Sequence, residues 1–104
     1  MKPVKIVAPA EAELHEALSW YRERDVRVAE RFATEAKRTL ELIHEFTRIG
    51  SRVPDIDDPH VRRMPIHTFP YHIVFVEFEE QIEVIAFAHN RRRPGYFVKR
   101  LHRS

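Results

Sequence analysis

The chain has 104 residues, 43% hydrophobic and 33% charged, with a formal net charge of +2. That is enough for one compact core burying roughly two-thirds of the unfolded surface, and too apolar for a disordered tail. The chain has no cysteine, which excludes a disulfide scaffold, a thiolate zinc site and cysteine catalysis.

The apolar runs are only a few residues long, so no membrane span is expected. Met1-Lys2-Pro3-Val4 lacks the apolar stretch of a secretory signal, so the expectation is a cytoplasmic protein.

Lys2–Val7 is short and β-branched and reads as a first strand. Pro9 suits a first helical turn, with Glu11 and Glu13 at the positive end of the helix dipole. Leu14, Ala17, Leu18 and Tyr21 then recur at three- and four-residue steps, predicting an amphipathic helix over 9–24. Asp25 breaks the pattern and can cap a second helix. Ala29, Phe32, Ala36, Leu40, Ile43 and Phe46 or Thr47 mark a second stripe, predicting a helix over 26–48 closed by Gly50. With almost nothing between them, the two helices should pack as an antiparallel hairpin.

Residues 50–60, with Pro54, Asp55, Asp57, Asp58 and Pro59, read as a loop. Val61–His67 reads as a strand whose Pro65 argues for an edge or a bulge. Tyr71–Phe78 is almost wholly apolar, the pattern of a central strand buried on both faces. Glu79-Glu80-Gln81 is a turn, and Ile82–His89 is the returning strand. If Phe78 faces Ile82, then Phe75 faces Ile85, Ile73 faces Phe87 and Tyr71 faces His89, all on one face of the sheet. The order β-α-α-β-β-β predicts one α+β domain over 1–104, with a helical hairpin on one face of an antiparallel sheet.

The charge is segregated along the chain. Residues 11–58 hold 8 Lys and Arg against 12 Asp and Glu, a balance of −4. Residues 84–104 hold Arg91, Arg92, Arg93, Lys99, Arg100 and Arg103 with no acid, a balance of +6. Such asymmetry fits either a polyanionic or acidic partner for the basic end, or a solvated end that keeps the protein soluble.

The densest chemistry is the run His89-Asn90-Arg91-Arg92-Arg93-Pro94-Gly95-Tyr96-Phe97. Arginine forks bind phosphate bidentately and stabilise charge without moving protons, while His89 and Tyr96 could do acid–base work or stack on a base. The plainer reading is a strand end with solvated arginines, Tyr96 and Phe97 closing the core. In Arg62-Arg63, strand geometry sends one side chain to each face. One could reach a site while the other pairs with Asp57 or Asp58. His72 interrupts an apolar strand, either as a satisfied core histidine or as an inward-facing site group.

Trp20 and Tyr21 on the first helix read as core packing against the second. The seven histidines form no HExxH or HxH, and His67 and His72 flank Pro70, so neither a metal nor another cofactor is expected. With only Gly50 and Gly95, the chain has no phosphate loop and no GxSxG.

Taken as a set, Ala12-Glu13-Leu14…Ala17…Trp20-Tyr21, Ala29-Glu30-Arg31-Phe32…Glu35, Val61-Arg62-Arg63-Met64, Phe69-Pro70-Tyr71-His72-Ile73-Val74-Phe75 and His89…Arg92-Arg93-Pro94-Gly95-Tyr96 resemble the RelE/ParE superfamily of toxins from bacterial type II toxin–antitoxin modules. The resemblance covers nearly the whole chain. It implies a small toxin held inactive by a cognate antitoxin, whose acidic or amphipathic segment wraps it. It also implies a target: DNA gyrase for the ParE-like branch, or ribosome-bound mRNA, cut in the A site, for the RelE-like branch. A non-toxic interaction module of the same fold is a third reading.

By position, the cleaving branch's arginines fall on Arg91 and on His72, and its C-terminal tyrosine falls on Phe97, one residue past Tyr96. Residues 49–60 hold no lysine to match that branch's basic residues before the sheet. The resemblance therefore favours ParE-like growth inhibition, with Arg91, Arg92, Arg93 and Arg100 contacting target or antitoxin. For an mRNA endonuclease, Arg91 with Arg62 or Arg63 would bind phosphate, and His72, His89 or Tyr96 would move protons.

Overall fold

The computed structural model describes residues 1–101. Arg103, counted in the basic run, lies outside them. The elements are β1 (Val4–Ile6), α1 (Ala8–Arg24), α2 (Val26–Glu45), β2 (Ser51–Arg52), β3 (Val61–Pro65), β4 (Tyr71–Glu77), β5 (Ile82–His89) and a closing 3₁₀ turn (Val98–Leu101).

One residue makes the helical hairpin. Asp25 ends α1 by donating its N–H to the Tyr21 carbonyl (2.8 Å). It also starts α2, its carboxylate accepting from the Arg27 N–H at 2.9 Å. Its extended backbone turns the chain between them. The hairpin tip is locked by Tyr21 against Phe32, ring centroids 5.2 Å apart. Helix α2 stops at Glu45, short of the expected end, so Phe46 is 53% exposed rather than part of the buried stripe. Gly50 does not cap it. Its φ of +88° places it against β3, where a Cβ would collide with the Arg63 carbonyl oxygen.

The sheet runs β1-β5-β4-β3-β2. It departs from the expected antiparallel sheet at both ends. β1 pairs parallel with β5, Val4 opposite Ile82 and Ile6 opposite Val84, making the sheet mixed. Ser51-Arg52, expected within a loop, forms the short strand β2 beside Arg62 and Arg63. Pro65 ends β3 beyond the two residues that β2 covers, where no ladder bond requires its missing N–H.

The β4–β5 register pairs Tyr71 with His89 and Ile73 with Phe87, as the sequence predicts. It then slips by one residue between Val74 and Phe75, so Phe75 faces Val84 and Glu77 faces Ile82. The extra residue in β5 is Ile85. It joins Ala86 in the cluster on the far face, while Val84 and Phe87 point to the helices.

Both faces of β4 and β5 are therefore covered. The helices cover one through Ala10, Ala17, Phe32, Ala36 and Ile43. Val53, Ile56, Phe97 and Leu101 cover the other. Among the described residues no helix is long and apolar enough to cross a membrane.

Candidate functional site

β5 delivers the arginine run to the rim of the sheet, and backbone bonds fold it into consecutive turns. The Asn90 N–H reaches the Pro70 carbonyl (2.8 Å), that of Arg92 the His89 carbonyl (2.9 Å), and that of Tyr96 the Arg93 carbonyl (3.2 Å). Gly95, at φ +78°, reverses the chain into the 3₁₀ turn. Arg91, Arg92 and Arg93 are exposed. The Arg92 guanidinium lies 4.0 Å from the centre of the Tyr96 ring. Those of Arg91 and Arg93 form no hydrogen bond or ion pair among the described residues.

Behind this turn sits a residue that the dipole reading of the sequence undervalued. Glu13 shares the inward face of α1 with Ala10 and Ala17, three and four residues away, and its side chain is only 12% exposed. Its Oε1 accepts from the Phe87 N–H (3.1 Å) and from Arg100 Nη1 (2.9 Å). Its Oε2 accepts from the Tyr96 hydroxyl (2.6 Å) and from Arg100 Nη2 (3.2 Å). Arg100 also donates to the Ile85 carbonyl at the bulge (2.8 Å).

Burial, then the bond to Glu13 and its charge, push the Tyr96 phenol far above its usual value. Burial alone would pull the Arg100 guanidinium down. The bonds to Glu13 and its charge more than offset that, holding it above its usual value. Tyr96 and Arg100 therefore face inward, while the three arginines between them and β5 face solvent.

The histidines are divided by the sheet. His89 packs edge-on against Tyr71 at 5.0 Å on the helix side. Its Nδ1 accepts the Arg91 N–H at 3.0 Å, so its free edge is Nε2. It lines a groove of about 500 Å³ with Glu13, Glu16, Trp20, Tyr71 and Arg92. Trp20 is not core: it is 51% exposed, with the Arg24 guanidinium 3.6 Å from its ring. Tyr21 alone carries the expected packing against α2.

His72 shares the opposite face with Val74. Its Nδ1 lies 2.9 Å from Asn90 Oδ1, an atom that can only accept, so Nδ1 carries the proton. A shallower recess joins it to Ser51, Arg63 and Asn90. Burial, set against the Asn90 bond and reinforced by the Arg63 charge, holds His72 below the usual imidazole value. The expected pairing of Arg62 or Arg63 with Asp57 or Asp58 does not occur. Arg62 donates to the Gly50 carbonyl at 3.4 Å, and Asp58 takes His60 instead. Arg52 instead reaches the Asp57 carbonyl at 3.1 Å.

The structure thus gathers His89, Arg92, Tyr96 and Arg100 around Glu13 and sets His72 and Arg63 apart. Among the described residues, no group of three or more His, Cys, Asp or Glu could hold a metal ion.

Comparison with known proteins agrees with this architecture. The family described as "ParE toxin of type II toxin-antitoxin system, parDE" matches residues 4–94, which hold Glu13 and the arginine run. A search of curated proteins finds no match. Among solved structures, one titled "Chromosomal ParDE TA system from P. aeruginosa" superposes with a TM-score of 0.71. The alignment covers 86% of this chain and 96% of that one at 17% identity, a likeness of fold.

Proposed function

Because the chain belongs to the ParE toxin family and is the toxin component of a type II toxin–antitoxin module, we propose that it is a cytoplasmic growth inhibitor that binds DNA gyrase and is neutralised by a cognate antitoxin. The target contacts in this reading are Arg91, Arg92 and Arg93. The observation that carries it is the exposed turn itself, where Arg91 and Arg93 keep guanidiniums that no described residue engages. Unpaired forks on a pinned backbone suit an acidic protein surface or a nucleic-acid phosphate without further rearrangement.

The arrangement of proton carriers supports binding over cleavage. Cutting RNA with its own 2′-OH needs one group to take a proton and another to give one, both within reach of a single phosphate. Here His72 and His89 sit on opposite faces, and the Tyr96 hydroxyl is already given to Glu13. Arginine stays charged and supplies no proton.

The test is inhibition of gyrase supercoiling by the purified toxin, beside a variant carrying Arg91→Ala and Arg93→Ala. The variant is expected to lose about tenfold or more in potency, the scale of one or two charge-assisted contacts, at an unchanged melting temperature. Growth arrest accompanied by mRNA breaks that His89→Ala abolishes, with gyrase unaffected, would remove the gyrase reading.

A further inference from the structure

We propose that Glu13 is a positioning residue, whose carboxylate holds the arginine-bearing turn in the geometry that binds the target. This role rests on the gyrase-binding reading and adds to it a residue on another element, far from the arginines in sequence.

The outer edge of β5 is only partly covered by a strand. β1 pairs with β5 only from Ile82 to Val84, and Val7 takes the Val84 carbonyl at 3.0 Å. Beyond that point no strand among the described residues lies beside the edge. Two side chains occupy the place: Arg100 takes the Ile85 carbonyl, and Glu13 takes the Phe87 N–H. The bulge at Ile85 offsets these two backbone groups so that one ion pair spans both.

The same carboxylate then binds the Tyr96 hydroxyl, and the Tyr96 ring carries Arg92. Glu13 thereby fixes the far end of the turn. The Asn90 bonds to the Pro70 carbonyl and to His72 fix the near end. Between these anchors Arg91 and Arg93 have no side-chain partner among the described residues, so the geometry of the run is set by its two ends.

A carboxylate on the buried stripe of α1 pays a desolvation cost that an apolar residue would avoid, and stability alone does not explain it. Its four donors come from three separate segments, β5, the arginine turn and the 3₁₀ turn. That is the pattern of a group that specifies an arrangement.

The experiment is a double-mutant cycle read by gyrase inhibition. Glu13→Gln keeps a carbonyl acceptor but turns an amide donor toward Arg100, releasing the latch. It is expected to weaken inhibition by about tenfold, the scale of a lost charge-assisted network, with antitoxin affinity changed by less than about threefold. Placed on a background carrying Arg91→Ala, Arg92→Ala and Arg93→Ala, it should add nothing, because all these changes act through one turn. Tyr96→Phe, which deletes a single donor and keeps the ring, should give a smaller loss of the same kind and covers the case in which Glu13→Gln folds poorly.

The positioning role is overturned if Glu13→Gln inhibits as wild type does. It is equally overturned if its loss multiplies with that of the arginines, or if antitoxin affinity falls in step with inhibition, since a purely structural role predicts both. If the arginine variant itself inhibits normally, the gyrase-contact reading fails at its premise and the positioning role goes with it. That result is distinct from an inert Glu13→Gln beside an impaired arginine variant.

Discussion

Glu13 and Arg100 are 87 positions apart in the chain and 2.9 Å apart in the fold. With side chains 12% and 22% exposed, they form an ion pair that has left most of its water behind. Removing one partner of such a pair leaves the other's charge without its counter-charge. Arg100→Ala is therefore expected to cost about 3 kcal/mol in urea unfolding, and Glu13→Ala a similar amount. The double variant should cost less than the two added together, by about 1–2 kcal/mol, because the pair is lost only once. Additive losses would show that the two side chains act independently.

Much of this architecture can be read from the residues alone, for reasons that vary with position. Asp25 marks the hairpin because a short acceptor side chain between two apolar stripes can cap a helix. The apolar run Ile73–Val76 marks a strand buried on both faces, and the pairs Tyr71–His89 and Ile73–Phe87 fall where alternation puts them. The bulge was hidden by the same property. Where both faces are apolar, Ile85 suits either, and nothing in the pattern pins the register. β2 was hidden because Ser51-Arg52 has no strand-forming side chain, and the direction of β1 because three residues carry no mark of it. In the site, the arginine turn was legible as charge. Glu13 was legible too, as a carboxylate at a core position of α1, but the helix dipole offered a simpler reason for it. Trp20 misled because its size suggested burial, while it lies one step off the inward stripe.

The two glycines should respond differently to substitution. Gly50 combines φ +88° with a Cβ position blocked by the Arg63 carbonyl, which is backbone and cannot yield cheaply. Gly50→Ala is expected to lose about 3 kcal/mol or to disorder β2. Gly95→Ala meets only the Val98 side chain, at 3.4 Å, so it should lose about 1 kcal/mol, the cost of the left-handed backbone alone. Thermal melts of the two variants measure the difference. Equal losses would mean that the contact with Arg63 has no energetic weight.

His72 should make the fold sensitive to mild acid. Burial holds its folded pKa below the unfolded value of 6.5. The unfolded chain therefore binds a proton before the native one does, and stability falls as pH drops below 6.5 toward the folded value. The full contribution is present above pH 6.5. His72→Asn should flatten the stability profile in that window by up to one proton's worth of slope. Imidazole resonances followed by NMR should show His72 titrating below the ordinary value of 6.5. A normal or raised titration point would contradict the burial and the Nδ1–Asn90 contact that define this side of the sheet.

At lower pH a second pair takes over. Lys2 Nζ bonds Glu77 Oε2 at 2.8 Å and the Phe78 carbonyl at 2.9 Å, tying the start of the chain to the β4–β5 turn. The Lys2 bond is the largest cause that lowers the Glu77 carboxyl below its usual value of 4.5, against a smaller upward push from burial. A depressed carboxylate pKa contributes stability that is fully present above 4.5 and is lost as pH falls through the folded value. Lys2→Met should then cost about 1 kcal/mol at neutral pH, as expected for a partly screened pair with one additional carbonyl bond. The cost should shrink as the medium is acidified, because the protonated Glu77 no longer distinguishes the two chains. Unfolding curves for wild type and Lys2→Met that stay a constant distance apart between pH 7 and pH 3 would show that the Phe78 carbonyl, and not Glu77, is the partner that matters.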